Sequence, residues 1–151
     1  MRIVSVSEDL KIEKRIAITP EIAKKYIALG LEVSLPENYG EHLGFKDNKF
    51  KELGVKISKD EKEIINSADI IVQLGLPSDD KISLIKKNQT LVGVLDPYNN
   101  KEKIDNLVKH EVNNFSLELL PRITRAQSMD CLLYTSPSPR DRTRSRMPSS
   151  A

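Results

Sequence analysis

Cysteine and histidine are scarce in this sequence, and tryptophan is absent. The 151 residues include one cysteine, Cys131, and two histidines, His42 and His110. The histidines lie far from each other and from the cysteine, which argues against both a disulfide framework and a Cys/His metal site. We interpret both histidines as ordinary surface residues, and we expect no metal.

Long apolar stretches are also missing. The longest apolar runs, such as Ile70–Val72, are far shorter than the roughly 20 residues that a membrane-spanning helix needs. The N-terminus leads directly into a strand-like pattern, Ile3–Val6, with neither a signal peptide nor an Arg/Ser-rich transit segment before it. We therefore expect a cytoplasmic protein.

A glycine-rich phosphate-binding loop is missing as well. Gly40 and Gly44 share a loop, but no strand leads directly into it and no Lys follows at the spacing of a P-loop. Neither a Ser/His/Asp group nor a catalytic pair of carboxylates is evident. The sequence therefore predicts no catalytic side chain.

Positive charge is concentrated at the C-terminus. Residues 131–151 contain four Arg and one Asp, which more than accounts for the formal net charge of +2. No basic surface is expected without that segment, so nucleic acid is not a predicted partner.

The same segment begins CLLYTS and continues with a stretch rich in Pro, Ser and Arg. Its back-translation resembles the transposase-end adapter of sequencing libraries, so we interpret residues 131–151 as a non-native, disordered tail. The adapter also supplies the last base of codon 130, which makes the natural residue at Asp130 either Asp or Glu. The alternative is a natural disordered tail that binds nucleic acid or is phosphorylated. On the adapter interpretation, residues 1–130 are a truncated natural sequence.

Helical segments alternate with short β-branched runs in residues 1–130. Thr19–Glu21 is a typical helix start, with Thr as the N-cap, Pro at the first position and an acid in the first turn. Gly30 is suited to end that helix in a left-handed conformation. Asp47 and Asn100 are predicted to cap later helices, and Asp60 is predicted to open another. The predicted helices are Pro20–Leu29, Asp47–Leu53, Asp60–Asn66, Asp79–Lys86 and Lys101–His110.

Six runs have the composition of strands. Asp69–Leu74 and Thr90–Leu95 are apolar on both faces, which predicts internal positions in a sheet. The alternation with helices predicts an α/β fold with three layers: a mostly parallel, Rossmann-like or flavodoxin-like sheet flanked by helices. Ligands of such sheets bind beyond the carboxyl ends of the strands. The predicted strands are Ile3–Val6, Glu32–Leu35, Val55–Ile57, Asp69–Leu74, Thr90–Leu95 and Asn114–Leu119.

The segment Glu13–Pro20 has the sequence EKRIAITP and follows the first strand. It resembles the opening that alanine dehydrogenases share with transhydrogenase alpha subunits, and segments 44–47 and 68–69 fit the same family. In the dehydrogenases the Arg of this motif binds the carboxylate of the substrate, and the matching residue here is Arg15. The alternative is an exposed or ion-paired Arg before a helix.

Residues 121–130 have the sequence PRITRAQSMD, which resembles the transhydrogenase signature and differs from the corresponding segment of the dehydrogenases. In transhydrogenases the first Arg, the Gln and the Asp of this segment line the nicotinamide pocket. The alternative is a solvated polar loop after a strand. The cofactor-binding residues that the resemblance implies are Arg122, Ile123, Thr124, Gln127 and Asp130.

Two positions separate this chain from the dehydrogenases. Alanine dehydrogenases need a Lys after the Asp69–Leu74 strand and a His after the Thr90–Leu95 strand, which bind and protonate the keto acid. This sequence has Gly75 and Asp96 there. Gly has no side chain, and Asp at neutral pH accepts hydrogen bonds rather than donating them.

The resemblance implies the N-terminal part of the NAD(H)-binding alpha subunit of a proton-translocating NAD(P) transhydrogenase. Such a subunit exchanges hydride with NADP(H) on a partner subunit, and a membrane component couples the exchange to proton translocation. We expect a homodimer that lies on the cytoplasmic side of the inner or plasma membrane and is attached through its partners. The family's Rossmann domain lies beyond residue 130, so the isolated fragment is expected to be inactive.

Two alternatives stay open. One is an alanine-dehydrogenase-like NAD-dependent oxidoreductase, which Gly75, Asp96 and residues 121–130 disfavour. The other is a non-catalytic α/β binding module, which a glycine-rich turn after a downstream strand would exclude.

Overall fold

The computed structural model describes residues 1–120, of which Met1–Glu118 form one unit. Six strands alternate with five α-helices, and short 3₁₀ turns occur at Glu41–Leu43 and Leu117–Leu119. The strands are β1 (Arg2–Val4), β2 (Glu32–Pro36), β3 (Lys56–Ser58), β4 (Ile70–Val72), β5 (Thr90–Gly93) and β6 (Asn113–Ser116). The helices are α1 (Pro20–Ala28), α2 (Asp47–Glu52), α3 (Glu61–Asn66), α4 (Asp79–Ile82) and α5 (Lys101–Lys109).

The six strands form one parallel sheet in the order β3-β2-β1-β4-β5-β6. The first strand lies in the middle, where Ile3 pairs with Val33 on one side and with Ile70 on the other. β4 and β5 are internal, as their apolar composition predicted. Helices pack on both faces, so the predicted three-layer α/β fold is confirmed.

Alternating side chains along the strands divide the core into two layers. Ile3 belongs to the layer that contains Ala23 of α1 and Phe50 of α2. The next residue, Val4, belongs to the layer that contains Ile65 of α3, because successive strand residues point to opposite faces. Burial of one aliphatic side chain contributes about 1.5–3 kcal/mol, so these two layers are the main source of stability.

Two predicted helix starts are confirmed. Thr19 caps α1 by accepting a hydrogen bond from the Ile22 N–H at 3.4 Å. Asp60 caps α3 by accepting from the Lys62 N–H at 2.8 Å. Gly30 follows α1 with φ of +80°, the left-handed conformation that the sequence predicted.

The predicted capping roles of Asp47 and Asn100 are wrong. Asp47 is the first residue of α2, and both of its carboxylate oxygens lie 3.1 Å from the Asn38 N–H, which donates to them. Asn100 precedes α5, but its amide donates to the carbonyl oxygens of Leu95 and Asp96 instead of capping the helix. In both cases a polar side chain holds a neighbouring loop rather than its own helix.

Four of the six strands, β1, β4, β5 and β6, end earlier than predicted at the carboxyl edge of the sheet. Side chains replace the neighbouring strand as acceptors there: the Glu8 carboxylate accepts from the Leu74 N–H, and the Glu118 carboxylate accepts from the Asp96 N–H. The observed last residues are Val4, Val72, Gly93 and Ser116, against predicted Val6, Leu74, Leu95 and Leu119.

No helix within residues 1–120 combines the length and the apolar character that a membrane span requires.

Close packing between β4 and β5 leaves no room for a side chain at Gly93. A Cβ at this position would lie 2.6 Å from the Gln73 carbonyl oxygen, which is part of the backbone and cannot rotate away. We predict that Gly93→Ala lowers the free energy of unfolding by about 1–3 kcal/mol, the usual cost of overpacking.

Urea denaturation followed by circular dichroism measures this change. Gly75→Ala is the matched control, because a Cβ at position 75 would have no atom within 4 Å. Equal unfolding midpoints for the two variants would contradict the prediction.

Candidate functional site

The residues predicted to bind the cofactor lie outside the described part of the chain. Arg122, Ile123, Thr124, Gln127 and Asp130 therefore stay a prediction, as does the disordered tail at 131–151. The described residues form the carboxyl edge of the sheet, where the loops after β1, β4, β5 and β6 meet. This edge is the surface on which parallel sheets bind their ligands.

The order of the strands reverses direction between β1 and β4. From β1 the sheet extends in one direction through β2 to the edge strand β3. From β4 it extends in the opposite direction through β5 to the edge strand β6. The first residues beyond these two strands are Ser5 and Gln73, and both are buried. The Gln73 amide lies 2.9 Å from Ser5 Oγ. This polar contact joins the ends of β1 and β4, and the gap between two such strands is where open α/β sheets bind ligands.

The orientation of the Gln73 amide follows from its neighbours. The same amide atom lies 3.1 Å from the carbonyl oxygens of Val6 and Val72, which only accept hydrogen bonds. We therefore assign this atom as the nitrogen, which donates to those carbonyls.

A buried hydroxyl extends this contact to a second segment of the chain. The Tyr39 oxygen accepts hydrogen bonds from the N–H groups of Ala17 and Ile18, at 3.0 and 3.2 Å. Since these bonds occupy its lone pairs, the hydroxyl donates its own proton to Ser5 Oγ at 2.7 Å. Burial raises the pKa of Tyr39 above its ordinary value, so the hydroxyl keeps the proton that this bond requires.

Glu8 joins the loop after β1 to the loop after β4. Its carboxylate accepts from the Leu74 N–H at 2.8 Å. Burial raises the pKa of Glu8, although the N–H groups of Leu74 and Gly75 act in the opposite direction. Both backbone groups at the end of β4 thus interact with this carboxylate.

The backbone of Ser7 is held by an ion pair between two helices. Glu61 of α3 accepts from the Ser7 N–H at 3.1 Å, and Lys81 of α4 donates to the Ser7 carbonyl oxygen at 2.7 Å. The Lys81 and Glu61 side chains are 3.0 Å apart. Burial acts to raise the pKa of Glu61, but the hydrogen bonds from Ser7 and Lys81 hold it below its ordinary value.

Arg15 forms an ion pair with Glu13. Its Nε and Nη2 atoms donate to the two oxygens of that carboxylate at 2.9 and 2.7 Å, a bidentate arrangement. The Arg15 side chain is 77% exposed. Arg15 is therefore an exposed, ion-paired residue before α1, as the alternative interpretation of the sequence expected. A role of Arg15 in ligand binding stays a prediction.

Gly75 and Asp96 lie in the loops after β4 and β5, as the sequence predicted. A Cβ at Gly75 would meet open space, so the fold itself does not require Gly there. Asp96 has φ of +45°, and its carboxylate accepts from the Asn99 amide at 2.7 Å. Neither position offers a cationic hydrogen-bond donor.

His42 has a structural contact, because its Nε2 atom lies 2.7 Å from the Lys14 carbonyl oxygen and donates to it. Within residues 1–120, no cluster of three His, Cys, Asp or Glu side chains is arranged to hold a metal ion.

Sequence reasoning missed the buried Ser5–Tyr39–Gln73 network and Glu8. One signal was available: Ser5 and Gln73 are single polar residues inside otherwise apolar runs. Buried polar side chains need partners, but those partners lie 34 and 68 residues away along the chain. Their identity was therefore not evident from the sequence pattern.

Comparison with known proteins gives the family context of this edge. A family model described as "Alanine dehydrogenase/PNT, N-terminal domain" matches residues 5–137, a range that includes the predicted cofactor-binding segment. The first of the parts that make up NAD(P) transhydrogenase subunit alpha in Rickettsia prowazekii is 41% identical over 136 residues, which cover 87% of this chain and 36% of that protein. The chain thus spans about a third of the length of this relative.

Two further comparisons bear on the choice between branches. The crystal structure of transhydrogenase from Sinorhizobium meliloti superposes with a TM-score of 0.78 at 32% identity, covering 86% of this chain and 39% of that one. Alanine dehydrogenase 1 from Staphylococcus aureus is 31% identical over 106 residues, which cover 70% of this chain and 28% of that enzyme. This similarity is lower in identity and covers less of the chain than the similarity to the Rickettsia prowazekii protein.

The Glu13–Arg15 ion pair should make the stability of the fold depend on pH. Hydrogen bonds from Arg15 lower the pKa of Glu13 from an ordinary value of 4.5 to about 2. A carboxyl group whose pKa is lower in the folded state stabilises the fold above its ordinary pKa. This stabilisation is lost as the pH falls from about 4.5 through about 2.

Carbon-detected NMR titration of the Glu13 carboxyl measures the midpoint directly. We expect the midpoint to rise towards 4.5 in Arg15→Gln, which keeps only the backbone N–H bond to Glu13, and to rise less in Arg15→Lys, which keeps the charge but not the bidentate geometry. A wild-type midpoint near 4.5 at low salt would refute the prediction.

Proposed function

Because the chain belongs to the alanine dehydrogenase/PNT N-terminal domain family, we propose that it is the N-terminal part of the NAD(H)-binding alpha subunit of a proton-translocating NAD(P) transhydrogenase. The observation that carries this proposal is the 41% identity to a transhydrogenase alpha subunit over 87% of the chain. In this proposal the longer subunit, called the parent protein below, exchanges hydride between NAD(H) and NADP(H).

The carboxyl edge supports the transhydrogenase rather than the dehydrogenase branch. Reduction of a keto acid needs a cationic group to bind it and an acid to protonate it. At the two matching positions this chain has Gly75, without a side chain, and Asp96, which accepts a hydrogen bond from Asn99. Transfer of hydride between two nicotinamides needs no protein acid or base, and the task of the protein is to hold the rings close and aligned.

The end of β4 does not fit the phosphates of a dinucleotide. At the end of β4, where a phosphate would need free backbone N–H groups, Leu74 already donates to the Glu8 carboxylate. The half-buried Glu8 carboxylate also repels an anion. We therefore assign the phosphates and the adenosine to the remaining part of the parent protein.

We assign the nicotinamide end of NAD(H) to residues 121–130. Gln127 has both a donor and an acceptor, which suit the carboxamide of the ring. Asp130 is proposed to orient the Arg122 guanidinium by a charge-assisted hydrogen bond, with Ile123 and Thr124 completing the pocket. When bound, NAD(H) supplies or accepts the hydride; these side chains orient the ring.

The proposal implies two kinds of partner. One is a component that holds NADP(H), and the other is a membrane component that couples the exchange to proton translocation. We further propose that the parent protein is a homodimer on the cytoplasmic side of the membrane, attached through these components. The sequence of the parent protein beyond residue 130 distinguishes this enzyme from a non-catalytic binding module. Only the enzyme needs a glycine-rich turn after a further strand, because that turn binds the dinucleotide.

The proposed pocket predicts which step a substitution slows. In the parent protein with its partners, Gln127→Ala should slow hydride transfer by up to about a hundredfold, the cost of a misplaced reactant. The affinity for NADH should change much less, because the phosphates and adenosine supply most of it.

Stopped-flow transfer at saturating NADH and calorimetric titration of NADH measure the two effects. Arg125→Ala is the matched control, since Arg125 lies in the same segment but is not assigned to the pocket. An unchanged transfer rate in Gln127→Ala would rule out the assignment of this residue.

A second prediction concerns the choice of reaction. Because of Gly75 and Asp96, the purified parent protein should form no alanine from pyruvate, ammonia and NADH. An alanine dehydrogenase assayed in parallel provides the positive control. Alanine formation at a comparable rate would overturn the transhydrogenase assignment.

A further inference from the structure

The Tyr39 hydroxyl connects the point where the sheet reverses direction to the segment that carries Arg15. On one side it donates to Ser5, the first residue beyond β1. On the other it accepts from the N–H groups of Ala17 and Ile18. We propose that this hydroxyl is a positioning group that fixes segment 13–18 against the ends of β1 and β4, and thereby aligns the edge on which NAD(H) reacts. The inference rests on the proposed function.

The network is shielded from water, which strengthens it. Ser5 and Ile18 are fully buried, and Tyr39 and Gln73 are each 3% exposed. In such surroundings a hydrogen bond is electrostatically stronger than in water, and a buried N–H without an acceptor is costly. Removal of the hydroxyl leaves the N–H groups of Ala17 and Ile18 without this acceptor.

Packing alone does not require a tyrosine at this position. The Tyr39 ring contacts the Phe50 ring edge-on, with centroids 6.4 Å apart, and a phenylalanine would make the same contact. The preceding residue, Asn38, has φ of +57°, and its N–H is held by Asp47. This turn directs the ring inward, so that the hydroxyl reaches the end of β1.

Other contacts keep the segment folded when the hydroxyl is removed. Lys14 is held through its carbonyl oxygen by His42, and Glu13 is paired with Arg15. Loss of the Tyr39 hydroxyl should therefore loosen segment 13–18 without unfolding the chain. A displacement of about 1 Å in a positioning segment can reduce a reaction rate about a hundredfold.

The first measurement concerns the segment itself, in the 151-residue chain. Hydrogen exchange by NMR should show protection of the Ala17 and Ile18 amides falling about fivefold to tenfold in Tyr39→Phe, the equivalent of one net hydrogen bond. The Leu91 amide in β5 should be unaffected. Tyr26→Phe is the matched control, because it removes a tyrosine hydroxyl on α1 that lies outside the network.

The second measurement concerns the reaction, in the parent protein with its partners. Tyr39→Phe should slow single-turnover hydride transfer about tenfold to a hundredfold, while the dissociation constant for NADH stays within about twofold. Ser5→Ala should act in the same direction, and the double variant should be no slower than Tyr39→Phe. This non-additivity identifies one shared network. If Tyr39→Phe does not fold, Ser5→Ala provides the same test.

The outcomes separate this inference from the proposed function. Transfer at the wild-type rate in Tyr39→Phe, or unchanged protection at Ala17 and Ile18, overturns the positioning role and leaves the proposed function intact. A wild-type parent protein that transfers no hydride between NADH and an NADP analogue overturns both. Slow transfer with unchanged NADH affinity in Tyr39→Phe, and normal transfer in Tyr26→Phe, supports the inference.

Discussion

The end of a parallel ladder leaves backbone N–H groups without strand partners, and the carboxyl edge of this sheet is organised around that constraint. Side chains from distant parts of the chain accept these hydrogen bonds. Glu8 accepts from Leu74, Glu61 accepts from Ser7, and Glu118 accepts from Asp96. These bonds take the place of the missing ladder partners, so the loops at this edge have defined positions despite their lack of regular structure.

The same arrangement limits the chemistry of the edge. Carboxylates that accept backbone hydrogen bonds are already engaged, and the Tyr39 hydroxyl keeps its proton because burial raises its pKa. Such an edge is suited to aligning a ligand and poorly suited to exchanging protons with it. Hydride transfer between two nicotinamides needs alignment and no proton, so the engagement of these carboxylates and of the Tyr39 hydroxyl agrees with the proposed reaction.

The fold was largely predictable from the sequence, whereas the polar edge was not. Both faces of β4 and β5 are apolar, and this local pattern was sufficient to predict their internal positions. Asp47 was misassigned because a carboxylate near a helix start can also accept from a turn outside its own helix, here at Asn38. The partners of Ser5 were hidden for the same reason, and the residues at 121–130 came from family resemblance rather than from physical pattern.

The central place of β1 has a consequence during synthesis. The Arg2 N–H donates to the Asp69 side chain at 2.6 Å, across 67 residues of chain. At about 5–20 residues per second, β4 leaves the ribosome about 3–14 s after β1. Throughout that interval the edge of β1 that β4 later covers is unpaired, and an unpaired strand edge is the kind of surface on which chains aggregate. The central strand of the finished sheet is thus an open edge in the growing chain.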